Sequence, residues 1–178
     1  MELIDALFDL CKTTPRPIIA IDGPAGAGKT TLAEHLSVAL SLRYKTTTIH
    51  MDSLYHGWST PFDHHLKDAL VKAATSHKKA IAYSLPQFNW SRNEFGEEQA
   101  VRPSELLILE GVGASQSIIR PYLAASIWIE VEPKKGLERV LLRDGQAISN
   151  EMAKWLELQE QHFSEEESEK SADFLLTT

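Results

Sequence analysis

Gly23-Pro24-Ala25-Gly26-Ala27-Gly28-Lys29-Thr30 is the stretch of this 178-residue chain that decides its fold. It matches the pattern G-x-x-x-x-G-K-[ST] in full, which predicts a loop whose backbone N–H groups surround phosphate oxygens. Glycine is required in such a loop because a Cβ atom would block either the turn or the approach of the phosphate. The stretch therefore predicts a binding site for a nucleoside triphosphate, and we expect ATP.

The loop assigns chemical roles to its residues. Lys29 provides a positive charge for the β and γ phosphates, Thr30 provides a hydroxyl group for Mg²⁺, and the following helix directs its N-terminus at the anion. ATP and Mg²⁺ are thus the expected cofactors. The residues expected to contact the nucleotide are Gly23, Ala25, Gly26, Ala27, Gly28, Lys29, Thr30 and Thr31.

Working outward, a short apolar run at residues 18–21 predicts a buried strand before the loop, and apolar residues at helical spacing predict a helix over 30–43 after it. The same reasoning predicts an alternation of strands and helices along the rest of the chain. Such alternation is typical of βαβ units. Strands are expected at residues 46–50, 105–110, 126–131 and 173–176, and helices at 1–12, 64–78, 133–143 and 149–167.

These elements predict an α/β fold of the three-layer P-loop NTPase type, with a doubly wound, mostly parallel sheet and helices on both faces. We expect residues 1–178 to form a single domain. Residues 81–102 lack a helical period and predict an irregular flap or a short antiparallel hairpin beside the sheet. An acceptor, meaning a molecule that receives a phosphoryl group from ATP, would bind at this flap. A short lid is expected at about 143–150.

Composition narrows the function classes. The net charge of −7, with glutamates crowded at residues 165–167, disfavours a nucleic-acid partner. Cys11 is the single cysteine, so an intramolecular disulfide is excluded and a cytoplasmic location is expected. No apolar run approaches the length of a membrane span, so no membrane partner is expected. The oligomeric state is left open.

The residues that follow the other strands distinguish between GTPases and kinases among P-loop proteins. The guanine-reading N-K-x-D pattern is absent, and no D-x-x-G segment follows a strand, so a kinase of small molecules is favoured. Such a kinase needs a carboxylate that accepts the hydroxyl proton of the acceptor. Asp52 lies at a suitable strand end, and Glu110 closes the next strand, where it could hold Mg²⁺ or orient the acceptor. A helix N-cap or a turn acid for Asp52, and a surface acid at a strand end for Glu110, are the structural alternatives.

The chain resembles the uridine kinase and phosphoribulokinase branch of P-loop kinases over residues 17 to about 176. The matching segments are the glycine loop, 51–55 (MDSLY), 61–64 (PFDH), 85–90 (LPQFNW), 109–111 (LEG) and 139–144 (RVLLRD). The resemblance implies that Asp52 is the general base and a Mg²⁺ ligand. It implies that Tyr55 lines the acceptor pocket, that Asp63 grips the ribose hydroxyls and that Phe88 stacks on the base. Trp90 is included in the expected substrate site.

The chain departs from this family at two points. Phe88-Asn89 replaces a usual Tyr-Asp pair, and the segment 144–149 carries none of the arginines of the family's lid. Arg139 and Arg143, four residues apart on one helical face, are therefore expected to neutralise the transferred charge. Their alternative role is that of exposed cations paired with Glu138 or its neighbours.

Three hypotheses follow for the function. The first is an ATP-dependent kinase whose acceptor is a nucleoside such as uridine or cytidine. The second is a kinase of a nucleoside monophosphate, a sugar or a vitamin precursor, for which Arg92, Arg102 and Arg120 are the free cations that could bind a phosphate. The third is an ATP-binding regulatory protein with little transfer activity.

Two further groups of residues are interpreted as structural. The seven histidines form no H-x-x-x-H or H-E-x-x-H pair and have no cysteine beside them, so we assign them no zinc. Trp155, Leu156 and Phe163 fall at helical spacing and are expected in the core.

Overall fold

The computed structural model describes residues 2–178, which form nine strands and five helices of more than one turn. The helices are α1 (Glu2–Thr13), α2 (Lys29–Leu40), α3 (His64–Lys78), α4 (Pro133–Asp144) and α5 (Ser149–Glu166). The strands are β1 (Ile18–Asp22), β2 (Thr46–His50), β3 (Tyr83–Leu85), β4 (Phe88–Asn89), β5 (Glu94–Phe95), β6 (Gln99–Val101), β7 (Leu106–Glu110), β8 (Ala125–Glu130) and β9 (Phe174–Thr177).

Five strands form one parallel sheet in the order β2-β7-β1-β8-β9. The glycine loop follows the central strand, β1, whose Ile21 pairs with Glu110 of β7. In turn, His50 of β2 pairs with the same Glu110. The register therefore brings the carboxyl ends of β1, β2 and β7 to one edge, where ligands bind in open α/β sheets.

Helices cover both faces of this sheet. Along β1, Ile19 and Ile21 face a core formed with α1 and α2, whereas Ile18 and Ala20 face a core formed with α3 and α5. Because every residue of β1 is buried, its sequence is a continuous apolar run and not an alternation. The predicted α/β fold with a parallel sheet and helices on both faces is confirmed.

Residues 83–101 form two antiparallel ladders, one inside the other. The outer ladder pairs β3 with β6, and the inner ladder pairs β4 with β5. Of the two forms predicted for residues 81–102, the structure has the hairpin.

The bounds of one helix differ from the sequence prediction. Helix α2 begins at Lys29 and ends at Leu40, because the chain enters a turn at residues 41–43. Between α4 and α5, where a short lid is predicted, the chain forms a 3₁₀ turn, Gln146–Ile148, after Gly145, whose positive φ of 94° ends α4. Within residues 2–178 there is no helix with both the length and the apolar character that crossing a bilayer requires.

Candidate functional site

A cavity of about 790 Å³ opens at the sheet edge where β1, β2 and β7 end. One end is formed by the glycine loop and α2, and we call it the phosphate end. The other end is formed by Asp52, the loop after it and aromatic side chains, and we call it the acceptor end. Most of the predicted site residues line this one cavity, namely Ala25, Gly26, Gly28, Lys29, Thr30, Thr31, Asp52, Tyr55, Trp90, Glu110, Arg139 and Arg143.

Gly23 and Gly26 are required by both conformation and space, and Gly28 is required by conformation. A Cβ on Gly23 would lie 2.4 Å from the carbonyl oxygen of Ile129, and one on Gly26 would lie 2.1 Å from that of Gly136. Gly28 has a φ of 91° and no atom within 4 Å of its Cβ position, so its backbone faces open space. Gly23 and Ala27 do not line the cavity. Ala27 is buried against the core of α1 and α2.

Lys29 is the positive charge of the phosphate end. Its ammonium donates a hydrogen bond of 2.8 Å to the carbonyl oxygen of Pro24, which holds the side chain folded back across the loop. Burial lowers the pKa of Lys29, while the negative charges of Asp22, Asp52 and Glu110 act in the opposite direction. The loop thus presents one partly desolvated cation to the cavity.

A second group of contacts joins α2 to the end of β7. The hydroxyl of Thr30 lies 3.3 Å from each carboxylate oxygen of Glu110, which is buried. On its other side, Glu110 contacts Nδ1 of His50 at 2.5 Å. This hydrogen bond raises the pKa of His50, and desolvation partly opposes it. Thr30 and Glu110 are therefore brought together, as a shared metal site would require.

Asp52 lies in a 3₁₀ turn, Met51–Ser53, directly after β2. Its carbonyl oxygen accepts a 2.9 Å hydrogen bond from the indole N–H of Trp90, so the flap is fastened to the residue proposed as base. The side chain is exposed toward the cavity. Surrounding protein atoms desolvate the carboxyl and raise its pKa, the charge of Glu110 raises it further, and Lys29 acts in the opposite direction.

Arg139 and Arg143 both reach the cavity from α4 but differ in their partners. Arg139 donates to the carbonyl oxygen of Gly26 at 3.1 Å and to the hydroxyl of Thr178 at 3.0 Å. Arg143 donates two hydrogen bonds, of 2.7 and 2.6 Å, to the carboxylate of Asp144. Neither cation pairs with Glu138, but Arg143 pairs with its sequence neighbour Asp144, which is the structural alternative considered for this residue.

The acceptor end is walled by aromatic side chains. Trp58 packs edge-on against Trp90 and Trp155, with ring centroids 5.0 and 5.9 Å apart. The ring of Tyr55 lies 4.9 Å from that of Trp155, and its hydroxyl donates to the carbonyl oxygen of Val112 at 2.8 Å. Tyr55 therefore lies at the cavity but is almost fully buried, and its hydroxyl is occupied by the backbone. Trp155 is buried as predicted, and it is also part of the cavity wall.

Asp63 and Phe88, two residues expected to contact the acceptor, do not line the cavity. Asp63 caps α3, where its carboxylate accepts hydrogen bonds from the backbone N–H groups of His65 and Leu66. Phe88, which belongs to the flap, is buried and packs against the rings of His56 and Phe95. Neither position could be read from the motif, because both depend on how the chain turns between Tyr55 and α3.

Two residues that sequence reasoning missed hold the glycine loop in place. Asp22, buried at the end of β1, accepts hydrogen bonds from the N–H groups of Gly23, Gly113 and Ser115 and from the Ser115 hydroxyl. Gln159 of α5 accepts one from the N–H of Ala25 at 3.1 Å. An acid directly before the glycine loop was a visible signal for Asp22. For Gln159 no signal exists, since it lies 134 residues away.

A second cavity, of about 620 Å³, lies between Pro24, the end of β8 and α5. Its charged lining is mostly acidic, with Glu130, Glu157 and Glu160 among the residues. Carboxylates repel phosphate, so the larger cavity is the candidate nucleotide site.

The residues of the larger cavity fit the expected cofactors. The loop has open space beside Gly28 and a cation in Lys29, which suits a polyphosphate. Thr30, Asp52 and Glu110 offer a hydroxyl and two carboxylates, and Mg²⁺ prefers such oxygen ligands. ATP with Mg²⁺ therefore suits the chemistry of this donor set.

Comparisons with known proteins bear on the fold of the chain. No protein-family model matches the chain. A cytidylate kinase of Pyrobaculum arsenaticum is 26% identical over 131 residues, which are 74% of this chain and 62% of that protein. The chain thus spans less than two thirds of that relative's length.

Two solved structures cover nearly the whole chain. A possible uridine kinase from Bacillus stearothermophilus has a TM-score of 0.67 at 21% identity and covers 99% of this chain and 100% of its own. A candidate fructose transport system kinase from Silicibacter sp. TM1040 has a TM-score of 0.67 at 17% identity, with 98% and 97% covered. The chain has the fold of P-loop kinases, and its predicted resemblance to the uridine kinase branch is confirmed at the level of the fold.

Proposed function

We propose that this chain, with its P-loop kinase fold, is an ATP-dependent phosphotransferase that moves the γ-phosphoryl group to a hydroxyl of a small acceptor. The observation that carries the proposal is that Lys29, Thr30, Asp52 and Glu110 line one cavity. A phosphate-binding loop alone would serve any nucleotide-binding protein. A carboxylate exposed in the same cavity adds a group that can accept a proton from an acceptor hydroxyl.

In this proposal, the glycine loop and Lys29 hold the triphosphate, and Arg139 lies beside the loop to neutralise charge. The acceptor hydroxyl loses its proton to Asp52 as its oxygen bonds to the γ phosphorus, and the bond to the ADP oxygen breaks. The carboxylate of Asp52 is exposed in the same cavity as Lys29, where it can accept a proton from a bound hydroxyl. Bound Mg²⁺, held by Thr30, Asp52 and Glu110, would neutralise phosphate charge.

We propose a nucleoside such as uridine or cytidine as the acceptor. The aromatic wall formed by Tyr55, Trp58, Trp90 and Trp155 supports a planar ring as part of the acceptor. The proposed contacts differ from those implied by the family resemblance, since Asp63 and Phe88 face elsewhere. Trp90 is the proposed stacking group because it lies at the cavity and is about one third exposed.

A nucleoside monophosphate is the second candidate acceptor, and the name of the cytidylate kinase relative favours it. Such an acceptor needs a cation for its own phosphate. None of Arg92, Arg102 and Arg120 lines the cavity, and Arg120 is bound to the backbone of Ser115 and Glu166. Lys29 and Arg139 of the cavity are assigned to the nucleotide here, so Arg143 would have to serve, after release from Asp144. A sugar or a vitamin precursor remains as an alternative.

An ATP-binding regulatory protein is the third candidate, favoured by the pairing of Arg143 with Asp144 and by the short turn in place of a lid.

One assay separates the three candidates. The formation of ADP should be measured in the presence of ATP and Mg²⁺, with uridine, cytidine, cytidylate and fructose as acceptors in parallel. The nucleoside proposal expects turnover with uridine or cytidine. If only cytidylate is turned over, a nucleoside monophosphate replaces the nucleoside as the proposed acceptor. ATP binding without turnover of any acceptor would favour the regulatory protein.

Asp52→Asn tests the proton acceptor. We expect kcat to fall by about 100-fold or more while ATP affinity changes little, since the amide cannot take the proton. Asp68→Asn, an exposed acid on α3, serves as the matched control and should keep full activity. Turnover near that of the wild type in Asp52→Asn would exclude the assigned role.

A further inference from the structure

His56, Asp63 and His65 form a cluster outside the cavity. Each residue offers one ligand atom, and these three atoms all lie within 4.8 Å of one another. Within the cluster, Nδ1 of His56 lies 2.9 Å from Oδ2 of Asp63. A search for H-x-x-x-H pairs cannot find this cluster, because its histidines are nine residues apart and meet only through the turn before α3.

We propose that His56, Asp63 and His65 bind a divalent transition metal ion, with Zn²⁺ as the reference ion. Two imidazoles and one carboxylate are ligands that suit Zn²⁺ and its neighbours in the first transition row, whereas Mg²⁺ prefers oxygen ligands alone. Ligand atoms at about 2.1 Å from a tetrahedral ion lie roughly 3.4 Å from one another. Small side-chain rotations therefore bring the three atoms to bonding distance.

The local backbone preorganises two of the three ligands. Oδ1 of Asp63 accepts hydrogen bonds from the N–H groups of His65 and Leu66 as the cap of α3, which leaves Oδ2 directed at His56. His65 lies in the first turn of the same helix, so its position relative to Asp63 is fixed. His56 is joined to Thr60 through an isolated bridge, which closes the loop that carries it.

The site is open on its outer side. The side chain of His56 is 45% exposed, and His65 is exposed as well, so solvent can provide a fourth ligand. Three protein ligands and one open position are the arrangement found when a metal is not fully enclosed by protein. Zn²⁺ would replace the hydrogen bond between His56 and Asp63 with two bonds to the ion.

The cluster also contacts the flap. The ring of His56 lies 5.3 Å from that of Phe95 and 6.3 Å from that of Phe88, and the ring of His65 lies 6.4 Å from that of Phe95. An ion bound to both histidines would fasten the loop after Tyr55 to the start of α3, and the inner hairpin of the flap packs against the rings of these two ligands. We therefore expect Zn²⁺ to raise the melting temperature.

The test is isothermal titration of the full chain with Zn²⁺ in a buffer without nucleotide or Mg²⁺. The wild type should bind with a Kd in the micromolar range or below. His56→Ala and His65→Ala should each weaken binding by about 100-fold, since loss of a second-shell partner alone costs about 10- to 100-fold. His65 is exposed, so its removal should leave the fold intact, which far-UV circular dichroism checks.

Two control variants separate this site from other ligands. His35→Ala removes an exposed histidine of α2 and should leave Zn²⁺ affinity unchanged. Glu110→Gln removes a carboxylate of the proposed Mg²⁺ site, so it should remove any separate Zn²⁺ binding in the cavity and leave the affinity of the His56 cluster unchanged. Binding only in the millimolar range, affinity retained in His65→Ala, or affinity lost in Glu110→Gln would overturn the proposal. None of these measurements depends on turnover, so they stand whether or not the kinase activity is found.

Discussion

The phosphate end and the acceptor end of the cavity are built in opposite ways. The phosphate end comes from one continuous segment, residues 23–31, supported by the end of β7. The acceptor end combines Tyr55, Trp58, Trp90 and Trp155, which come from three separate parts of the chain. The phosphate end is held by backbone groups and buried hydrogen bonds. The acceptor end is held by aromatic packing and by hydrogen bonds from Tyr55 and Trp90 to the backbone.

This difference shows which part of a site a motif can define. Backbone N–H groups bind phosphate in the same way for every acceptor, so the loop is specified locally by glycine, lysine and threonine. An acceptor pocket is defined by the shape between elements, and shape depends on packing. Substitutions at the phosphate end should therefore affect every acceptor alike, whereas those at the acceptor end should discriminate among acceptors.

The largest expected effect is that of Lys29→Met, which keeps the apolar stem and removes the charge. We expect kcat to fall by about 1,000-fold with any accepted substrate, because a positioned charge in a desolvated site stabilises the transferred phosphoryl group. Steady-state kinetics with two acceptors checks this, and Lys12→Met, an exposed residue of α1, is the control. If the loss differed strongly between acceptors, the two ends would not be independent.

Asp22→Asn tests what holds the phosphate end together. The carboxylate accepts four hydrogen bonds, and an amide nitrogen in place of one oxygen would face N–H or O–H donors. We expect the free energy of unfolding to fall by about 3 kcal/mol, since a buried carboxylate with charge-assisted hydrogen bonds is lost. Urea denaturation measures the change.

The control for that measurement is Asp5→Asn in α1, where the side chain is exposed and no such network exists. ATP affinity should also weaken in Asp22→Asn, because Gly23 and the loop after β7 lose their common anchor. Equal stability of the two variants would mean that Asp22 does not anchor the loop.

The smallest expected effect is at Asp63, which the family resemblance assigns to the ribose and the structure uses as a helix cap. Asp63→Ala should lower the free energy of unfolding by about 1 kcal/mol, while Asp63→Asn should keep the cap and the stability. Neither variant should change the acceptor KM in a buffer without transition metals, because the side chain does not line the cavity. A large rise in the acceptor KM for both variants would show that Asp63 contacts the acceptor, as the family resemblance implies.

Sequence patterns were sufficient for most of the fold. The apolar runs at β1, β7 and β8 predicted buried parallel strands because both faces of those strands are covered by helices. The strands of the flap were harder to predict from the sequence, since strands of two or three residues are too short to show an alternating pattern. The lid was expected at 143–150 and is a single turn, because Gly145 ends α4 and α5 begins four residues later.

The candidate site divides in the same way. Lys29, Thr30, Asp52 and Glu110 were all predicted from their positions in the motif or at strand ends, and the register of β1, β2 and β7 brings those ends together. Arg143 was predicted to neutralise the transferred charge, with pairing to a nearby acid as the alternative, and the structure pairs it with Asp144. Adjacent residues on a helix do not usually face each other, so that pairing depends on the helix ending at Asp144.

By itself, the sequence determined the glycine loop, the order of strands and helices, and the carboxylates at the strand ends. These features are local, because they depend on backbone conformation, side-chain period and chain direction. Only the tertiary structure decided that Asp22 and Gln159 anchor the loop, that tryptophans wall the acceptor end, and that His56, Asp63 and His65 meet. These contacts join residues distant in the chain, and their geometry is set by packing between elements.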